Sequence, residues 1–539
     1  MRRFSTLVVA LSCIAVTPAF ADDVPRIRAV AEGHDSRIDL TWTCDAPDAR
    51  YHLESAASES GPFERRTKEP QDFAVFSDWI GAGEHARWYR IIPVDAAGEE
   101  FPPSETISAK TRPMSRDELL TSIQKAHFRY FWDFAHPVSG LTREGFRHKR
   151  DTCTSGGTGF GMITLMVGAE RGFQPREVIA ERLLKQVRFL QEKAQRYHGA
   201  WSHWINGATG ETIAFAGPQD NGGDIVETAY VVQGMLTIRQ YFDRDDAVER
   251  ELRERIEKLW REVEWDWYRG DPPQTKLRWH WSPDHGFKRN HGFGGNFNEC
   301  MITYIVGLAS PTHPLPTECY HEGWAGKPKV EGDFPYANGE TYHDIKLPVG
   351  WPYGGPLFFT QYSFLGLDPR FITDRYCNYY ENNRAISLIN RAHCIANPNK
   401  FKGYSEKAWG LTASFTPGGY HAHEPRHDNG TISPTAALAA MPYTPDESLV
   451  ALEHFYRDYE GKLWGPLGFW DAFNPTKDWV SDTMIAIDQG PITPMIENAR
   501  TQLCWRMFMK NEEIVQGLKR TGIWAETPAK LVALSDAAR

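Results

Sequence analysis

Three groups of carboxylates stand where the chain turns into a helix, and their spacing suits acid–base chemistry. In Asp220-Asn-Gly-Gly-Asp224-Ile-Val-Glu227-Thr-Ala-Tyr230 the glycine pair lets the chain turn into a helix. Asp224 and Glu227, three apart, then share one face of its first turn, with Asp220 just ahead. Acidic residues at a helix start are also favourable caps. The apolar run after them puts these at the rim of a buried helix. Glu299 sits in Gly294-Gly-Asn-Phe-Asn-Glu299-Cys-Met-Ile, again where glycines open an apolar helix. Flanked by Phe297, Cys300 and Met301, its carboxyl should lose solvation and gain proton affinity, as a general acid requires. The bland alternative is a buried Glu paired to Arg or Lys. Asp488, in Ile485-Ala-Ile-Asp488-Gln-Gly-Pro491, ends an apolar segment, and an N-cap explains it equally well. Cleavage of a glycosidic bond needs two such groups, one protonated beside the leaving oxygen and one ionised to activate water or attack carbon.

A fourth polar cluster, His421-Ala-His423 with Glu424, His427 and Asp428, has the donor types of a metal site. Turn residues on both sides suit a sugar-binding loop as well. His423 and Asp428 are therefore carried as substrate contacts, with no metal assigned. No GxSxG elbow, phosphate-binding Gly-Lys loop or GxGxxG run occurs, so acyl transfer and dinucleotide chemistry have no support and no cofactor is expected.

The elements that must position these groups are mostly helical. Ser115-Arg-Asp-Glu118 reads as a capping box opening a helix through Phe134. About a dozen segments with apolar residues at 3–4 spacing follow, near 157–171, 176–195, 223–242, 246–262, 295–309, 356–366, 379–396, 433–441, 446–459, 479–486, 491–509 and 511–521. Long aromatic loops rich in Gly and Pro, at 263–294, 320–355 and 400–432, separate them, and loops of that length tend to be functional. The pattern predicts a mainly α (α/α)6 toroid over residues 114–530 whose central cleft gathers the loops. Residues 23–112 instead alternate apolar and polar side chains in short runs between turns, a β-sandwich pattern. Trp42, Tyr51, the Gly61-Pro62-Phe63 turn and Tyr89 within it resemble a fibronectin type III module.

Residues 1–21 carry a basic start, an apolar run from Leu7 to Val16 and Pro18-Ala19-Phe20-Ala21, the features of a cleaved export signal. A soluble periplasmic or secreted protein is expected, with no membrane insertion once the signal is removed. A net charge of −10 offers no footprint for nucleic acid. Of the eight cysteines, Cys13 falls in the signal; the other seven lack CxxC spacing, and a bridge such as Cys377–Cys394 is permitted but not required. Nineteen Trp and 21 Tyr supply rings that stack on sugar faces, although most such rings are core.

Many ordered motifs between residues 125 and 520 resemble the bacterial glucoamylase-like family, and within it glycoside hydrolase family 144. They include Gly223-Asp-Ile-Val-Glu-Thr-Ala, Asn298-Glu-Cys-Met, Phe364-Leu-Gly-Leu-Asp-Pro-Arg, Trp409-Gly-Leu-Thr-Ala-Ser, Asp428-Asn-Gly-Thr-Ile-Ser-Pro, Asp471-Ala-Phe-Asn-Pro and Asp488-Gln-Gly-Pro. The resemblance implies an (α/α)6 barrel that cuts β-1,2-glucan with inversion. By motif, Asp220, Asp224 and Glu227 would hold the sugar on the non-reducing side of the cut, and Glu299 and Asp488 would be acid and base. Trp409 joins His423 and Asp428 among the substrate contacts. An endo-acting monomeric enzyme is expected. The alternatives are an exo-acting one releasing sophorose or glucose, a polysaccharide lyase on the same toroid, and a non-catalytic glucan-binding protein.

Overall fold

The computed structural model describes residues 24–46, 48–289, 292–326 and 334–534. The export signal expected at residues 1–21 lies outside them. Residues 27–110 form seven strands, β1 (Ile27–Gly33), β2 (Arg37–Cys44), β3 (Arg50–Ala56), β4 (Glu64–Arg65), β5 (Val75–Trp79), β6 (Ala86–Val94) and β7 (Ile107–Lys110). They make two sheets, in the orders β1-β2-β5 and β4-β3-β6-β7.

The chain divides into two compact units. One takes residues up to 31 with 40–74 and 86–109; the other takes 32–39, 75–85 and everything from 110 onward. Within the second unit, Arg37 and Asp39 form a buried ion pair at 3.0 Å that is shared with Arg129. Arg37 also donates to the Tyr456 hydroxyl at 2.9 Å.

The second unit is built from helices: α1 (Arg116–Trp132), α2 (Ser155–Glu170), α3 (Arg176–Glu192), α4 (Ile225–Tyr241), α5 (Ala247–Arg261), α6 (Met301–Ala309) and α7 (Tyr379–Ala396). After them come α8 (Pro434–Ala439), α9 (Pro445–Glu453), the single turn α10 (Ala486–Gln489), α11 (Ile492–Arg500), α12 (Leu503–Phe508) and α13 (Glu512–Thr521). The capping box at Ser115 and Glu118 closes as expected, each side chain bonding the other's backbone N–H.

Burial sorts these helices into two layers. α2, α4 and α6 are buried on nearly every face, whereas α5 turns Leu252, Ile256, Leu259 and Trp260 inward and charged residues outward. The inner elements touch in sequence: α2 with α4, α4 with α6, α6 with the 3₁₀ turn Tyr362–Phe364, and α8 with α11. The preceding turn, Leu357–Thr360, reaches α8 through Gln361, whose amide donates to the Ala436 carbonyl at 3.0 Å, and α11 returns to α2. Outside lie α1 on α2 and α11, α3 on α2, α5 on α4, α13 on α6, α7 on the 357–360 turn and α9 on α8. The closest inner contact depends on glycine, since a Cβ on Gly159 would stand 2.1 Å from the Tyr230 carbonyl oxygen.

The structure corrects several expected elements. The helix expected over 295–309 begins only at Met301, which leaves Glu299 in the turn before it. The segment 356–366 is a pair of 3₁₀ turns. Residues 479–486 are not a helix: Trp479–Val480 pairs as a strand with Phe473–Asn474. The stretch 491–509 breaks at Gln502, whose φ of +61° lies outside the helical range. Cys377 and Cys394 are both free. Cys377 stands just before the 18-residue α7 and Cys394 in its last turn, a span of roughly 25 Å at 1.5 Å per residue, far beyond disulfide reach.

Candidate active site

Asp224 is the N-cap of α4, and its Oδ1 accepts the backbone N–H groups of Val226 and Glu227 at 3.0 and 2.9 Å. Glu227 does not reach back to complete a capping box. Its Oε2 instead accepts the Gly156 N–H at 2.8 Å, at the start of α2. A Cβ on Gly156 would lie 2.2 Å from that oxygen, so the close approach requires glycine.

The other oxygen of Asp224 faces the indole N–H of Trp279 at 3.1 Å, His280 at 3.3 Å and His203 at 3.4 Å. The short antiparallel pair Gly223–Asp224 with His280–Trp281 sets Asp224 directly opposite His280. His280 also lies 3.5 Å from Asp220, whose second oxygen takes Arg289 at 3.2 Å. The three predicted carboxylates are thus brought together, knit by two histidines that sequence spacing did not reveal.

Electrostatics divides the labour in this group. Burial opposes the charge on Asp224, but His280 and His203 outweigh it and hold the carboxyl below its usual range. Glu227 goes the other way. Burial, helped by the charges of Asp224 and Glu144, raises it to about 7 against the pull of His203. Burial disfavours the charged ring of His203, yet Glu227 and Asp224 keep its pKa at about 9. Phe215 stacks on that ring at 3.8 Å and leaves 43% of its surface exposed.

Glu299 is half-buried in the turn before α6. Ser363 and Tyr230 donate hydroxyl hydrogens to its backbone carbonyl and so fix the turn. Among the described residues its carboxylate has no ion-pair partner, and burial raises it to about 7. The paired-glutamate alternative is therefore not what the structure shows.

Asp488 is 1% exposed and lies within α10, not at an N-cap. Its Oδ1 accepts the hydroxyls of Tyr362 at 3.2 Å and Tyr420 at 3.3 Å. Burial and then the neighbouring Asp471 push its carboxyl well above the usual range. Two tyrosines join the three acid groups. The Tyr230 hydroxyl, bonded at Glu299, feels the charges of Glu299 and Glu227, and that of Tyr362, bonded to Asp488, feels Asp488 and Glu299. The two rings meet edge-on at 6.0 Å.

The remaining predicted contacts, Trp409, His423 and Asp428, have buried side chains. Trp409 is fully buried and offers no free face to a sugar. His423 is 1% exposed, bonded to the Thr431 carbonyl at 3.0 Å and lowered to about 4 by burial. Asp428 is held by Tyr404 of its own loop at 2.6 Å and by His393 at 3.0 Å, the second of which ties the loop to α7. The contacts these three side chains make here are packing and loop-anchoring ones. Their polar or aromatic types alone could not distinguish those roles from ligand contact.

Comparison with known proteins places the chain. Residues 293–512 match the Glycoamylase family model, described as "Putative glucoamylase". An exo β-1,2-glucooligosaccharide sophorohydrolase (non-reducing end) of Parabacteroides distasonis is 41% identical over 530 residues, covering 95% of this chain and 73% of the relative. The chain belongs to the glucoamylase-like family of glycoside hydrolases. A crystal structure of a β-1,2-glucanase from Parabacteroides distasonis superposes with a TM-score of 0.88 at 41% identity, over 93% of this chain and 73% of that one. An endo-β-1,2-glucanase from Chitinophaga pinensis, solved with sophorotriose and glucose, gives 0.72 at 46% identity over 76% and 98%. In this glucoamylase-like chain, sequence spacing missed His203, His280, Trp279, Tyr362, Tyr420, Glu144 and Asp471. Asp471 had one signal, its place in a motif shared with the family. The others lie on hairpins and loops whose partners are remote in sequence.

Proposed function

We propose that this chain hydrolyses β-1,2-glucan at internal bonds with inversion, using Glu299 as general acid and Asp488 as base. Asp220, Asp224 and Glu227 grip the sugar on the non-reducing side of the cut. The observation that carries this reading is Glu299, a carboxyl with no cation beside it among the described residues and a proton affinity raised to about 7 by burial. It lies across Tyr230 and Tyr362 from a second buried acid, Asp488. Near neutral pH such a group still carries the proton that a leaving sugar oxygen needs, and a second carboxyl is available for water. Asp488 takes a proton from the attacking water, directly or through a substrate hydroxyl.

The linkage follows from the three matches named for β-1,2-glucans. The closed succession of inner and outer helices supports an (α/α)6 toroid over residues 114–530, and the seven strands support a fibronectin type III-like sandwich over 23–112. Residues 1–21 would export the protein to the periplasm or beyond, where it acts as a monomer on glucan.

One observation favours an exo-acting second reading. The relative that aligns with 95% of this chain is named as an exo-sophorohydrolase, whereas the named endo-enzyme structure matches 76% of it. Sizing the products of linear β-1,2-glucan over time separates the two. A ladder of oligosaccharides is expected, sophorose alone from the first minutes would favour the exo reading, and no new reducing ends would overturn hydrolysis.

A further inference from the structure

We propose that Asp471 and Asp488 share one proton, so that the base of the reaction is the singly protonated pair and Asp471 is its positioning residue. This rests on the assignment of Asp488 as the base. The two side chains are 2% and 1% exposed. Asp471 Oδ2 accepts the Phe415 backbone N–H at 2.6 Å, and Asp488 Oδ1 accepts the two tyrosine hydroxyls. The remaining oxygens, Asp471 Oδ1 and Asp488 Oδ2, are buried and meet no N–H or O–H donor among the described residues. The two carboxyls instead act directly on each other. Two carboxylate oxygens cannot bond without a proton between them, and two like charges in contact in a buried site cannot both ionise at ordinary cost.

The surroundings leave that proton in place. Among the described residues Arg147 is the one cation acting on Asp471; it is half exposed and already paired with Asp482. Tyr130, Tyr362 and Tyr420 face the pair, and Glu144, Glu299 and Arg143 are the further charges that act on these tyrosines. Burial raises Asp471 to about 6. The pair is therefore a stronger proton acceptor than a lone exposed aspartate, whose usual pKa is about 3.9. In hydrolysis the water oxygen bonds to the anomeric carbon as the bond to the leaving sugar breaks. The Glu299 proton goes to the leaving oxygen, and a proton of the water goes to the pair, which passes from one shared proton to two. After release the pair returns a proton to solvent and Glu299 regains one.

The test is the pH dependence of kcat/KM on β-1,2-glucan for the full chain and its variants. Asp471→Asn keeps an acceptor for Phe415 but donates its amide N–H to Asp488, which then ionises alone. The amide is a weaker donor to the anion than the shared carboxyl proton, so the acid limb should move up by about one pH unit or more, and kcat at the optimum should fall about tenfold as fewer molecules hold an ionised base beside a protonated Glu299. Asp471→Glu should return the limb towards its original place. Tyr420→Phe removes a donor to the ionised form, and the limb should move up; this variant serves if the asparagine variant does not fold. An acid limb unmoved in folded Asp471→Asn and Tyr420→Phe overturns the pairing. A fully active Asp488→Asn would instead overturn the base assignment, which keeps the two failures apart.

Discussion

Replacing Glu299 by Gln should make the protein inactive and, above neutral pH, more stable. The carboxyl has a folded pKa of about 7 against an ordinary value of 4.5, and burial causes the difference. Below about pH 4.5 it is protonated in both folded and unfolded chains, so the substitution is neutral there. Between 4.5 and 7 the folded chain holds a proton that the unfolded chain has lost, and stability falls as pH rises. Above 7 the full cost is reached, about 3 kcal/mol at most for a shift of some 2.5 units, and less where solvent screens the half-buried group. Glutamine carries no such cost. For a unit of about 400 residues, with roughly 2.1 cal/mol/K per residue of unfolding entropy, the gain corresponds to about 1–3 °C in Tm. Calorimetry of wild type and Glu299→Gln at pH 5 and pH 8 reads it directly, alongside a reducing-end assay. Equal Tm values at pH 8, or a larger gain at pH 5 than at pH 8, would refute the claim that burial raises this carboxyl. Near wild-type hydrolysis would refute its role as acid.

Gly156→Ala places a Cβ 2.2 Å from Glu227 Oε2 and should cost about 1–3 kcal/mol by overpacking. Its activity should fall together with its Tm, and an unchanged variant would show that the α2–Glu227 contact is loose. Asp224→Asn keeps the cap on α4 but removes the charge beside His203, whose pKa of about 9 should drop by about 1–3 units in an NMR titration. A His203 titration that does not move would show that Asp224 has no hold on that ring. A thiol reductant should leave Tm unchanged, because all seven cysteines among the described residues are free; a fall would reveal a bridge.

The helix layer was legible wherever a local signal was strong. The capping box at Ser115 and the uninterrupted 3–4 spacing of 379–396 both mark real helices. The same spacing misled at 479–486, where pairing of Trp479–Val480 with Phe473–Asn474 overrides it. Asp220, Asp224 and Glu227 could be picked out because their grouping is local, on one helix entry. Glu299 could be picked out because its apolar neighbours foretell burial. What spacing could not carry is the partner set. His280 meets Asp224 through a two-residue strand pair across 56 positions, and Asp471 meets Asp488 from a separate loop. Trp409 shows the opposite failure, a ring whose type suits sugar stacking but whose 0% exposure forbids it.

The most direct test of the central claim is proton NMR of the reducing ends first formed from linear β-1,2-glucan, read before mutarotation. The account predicts new reducing ends that appear as the α-anomer, because water attacks opposite the leaving sugar of a β-linked bond. A β-anomer formed first, or no new reducing ends at all, would contradict it.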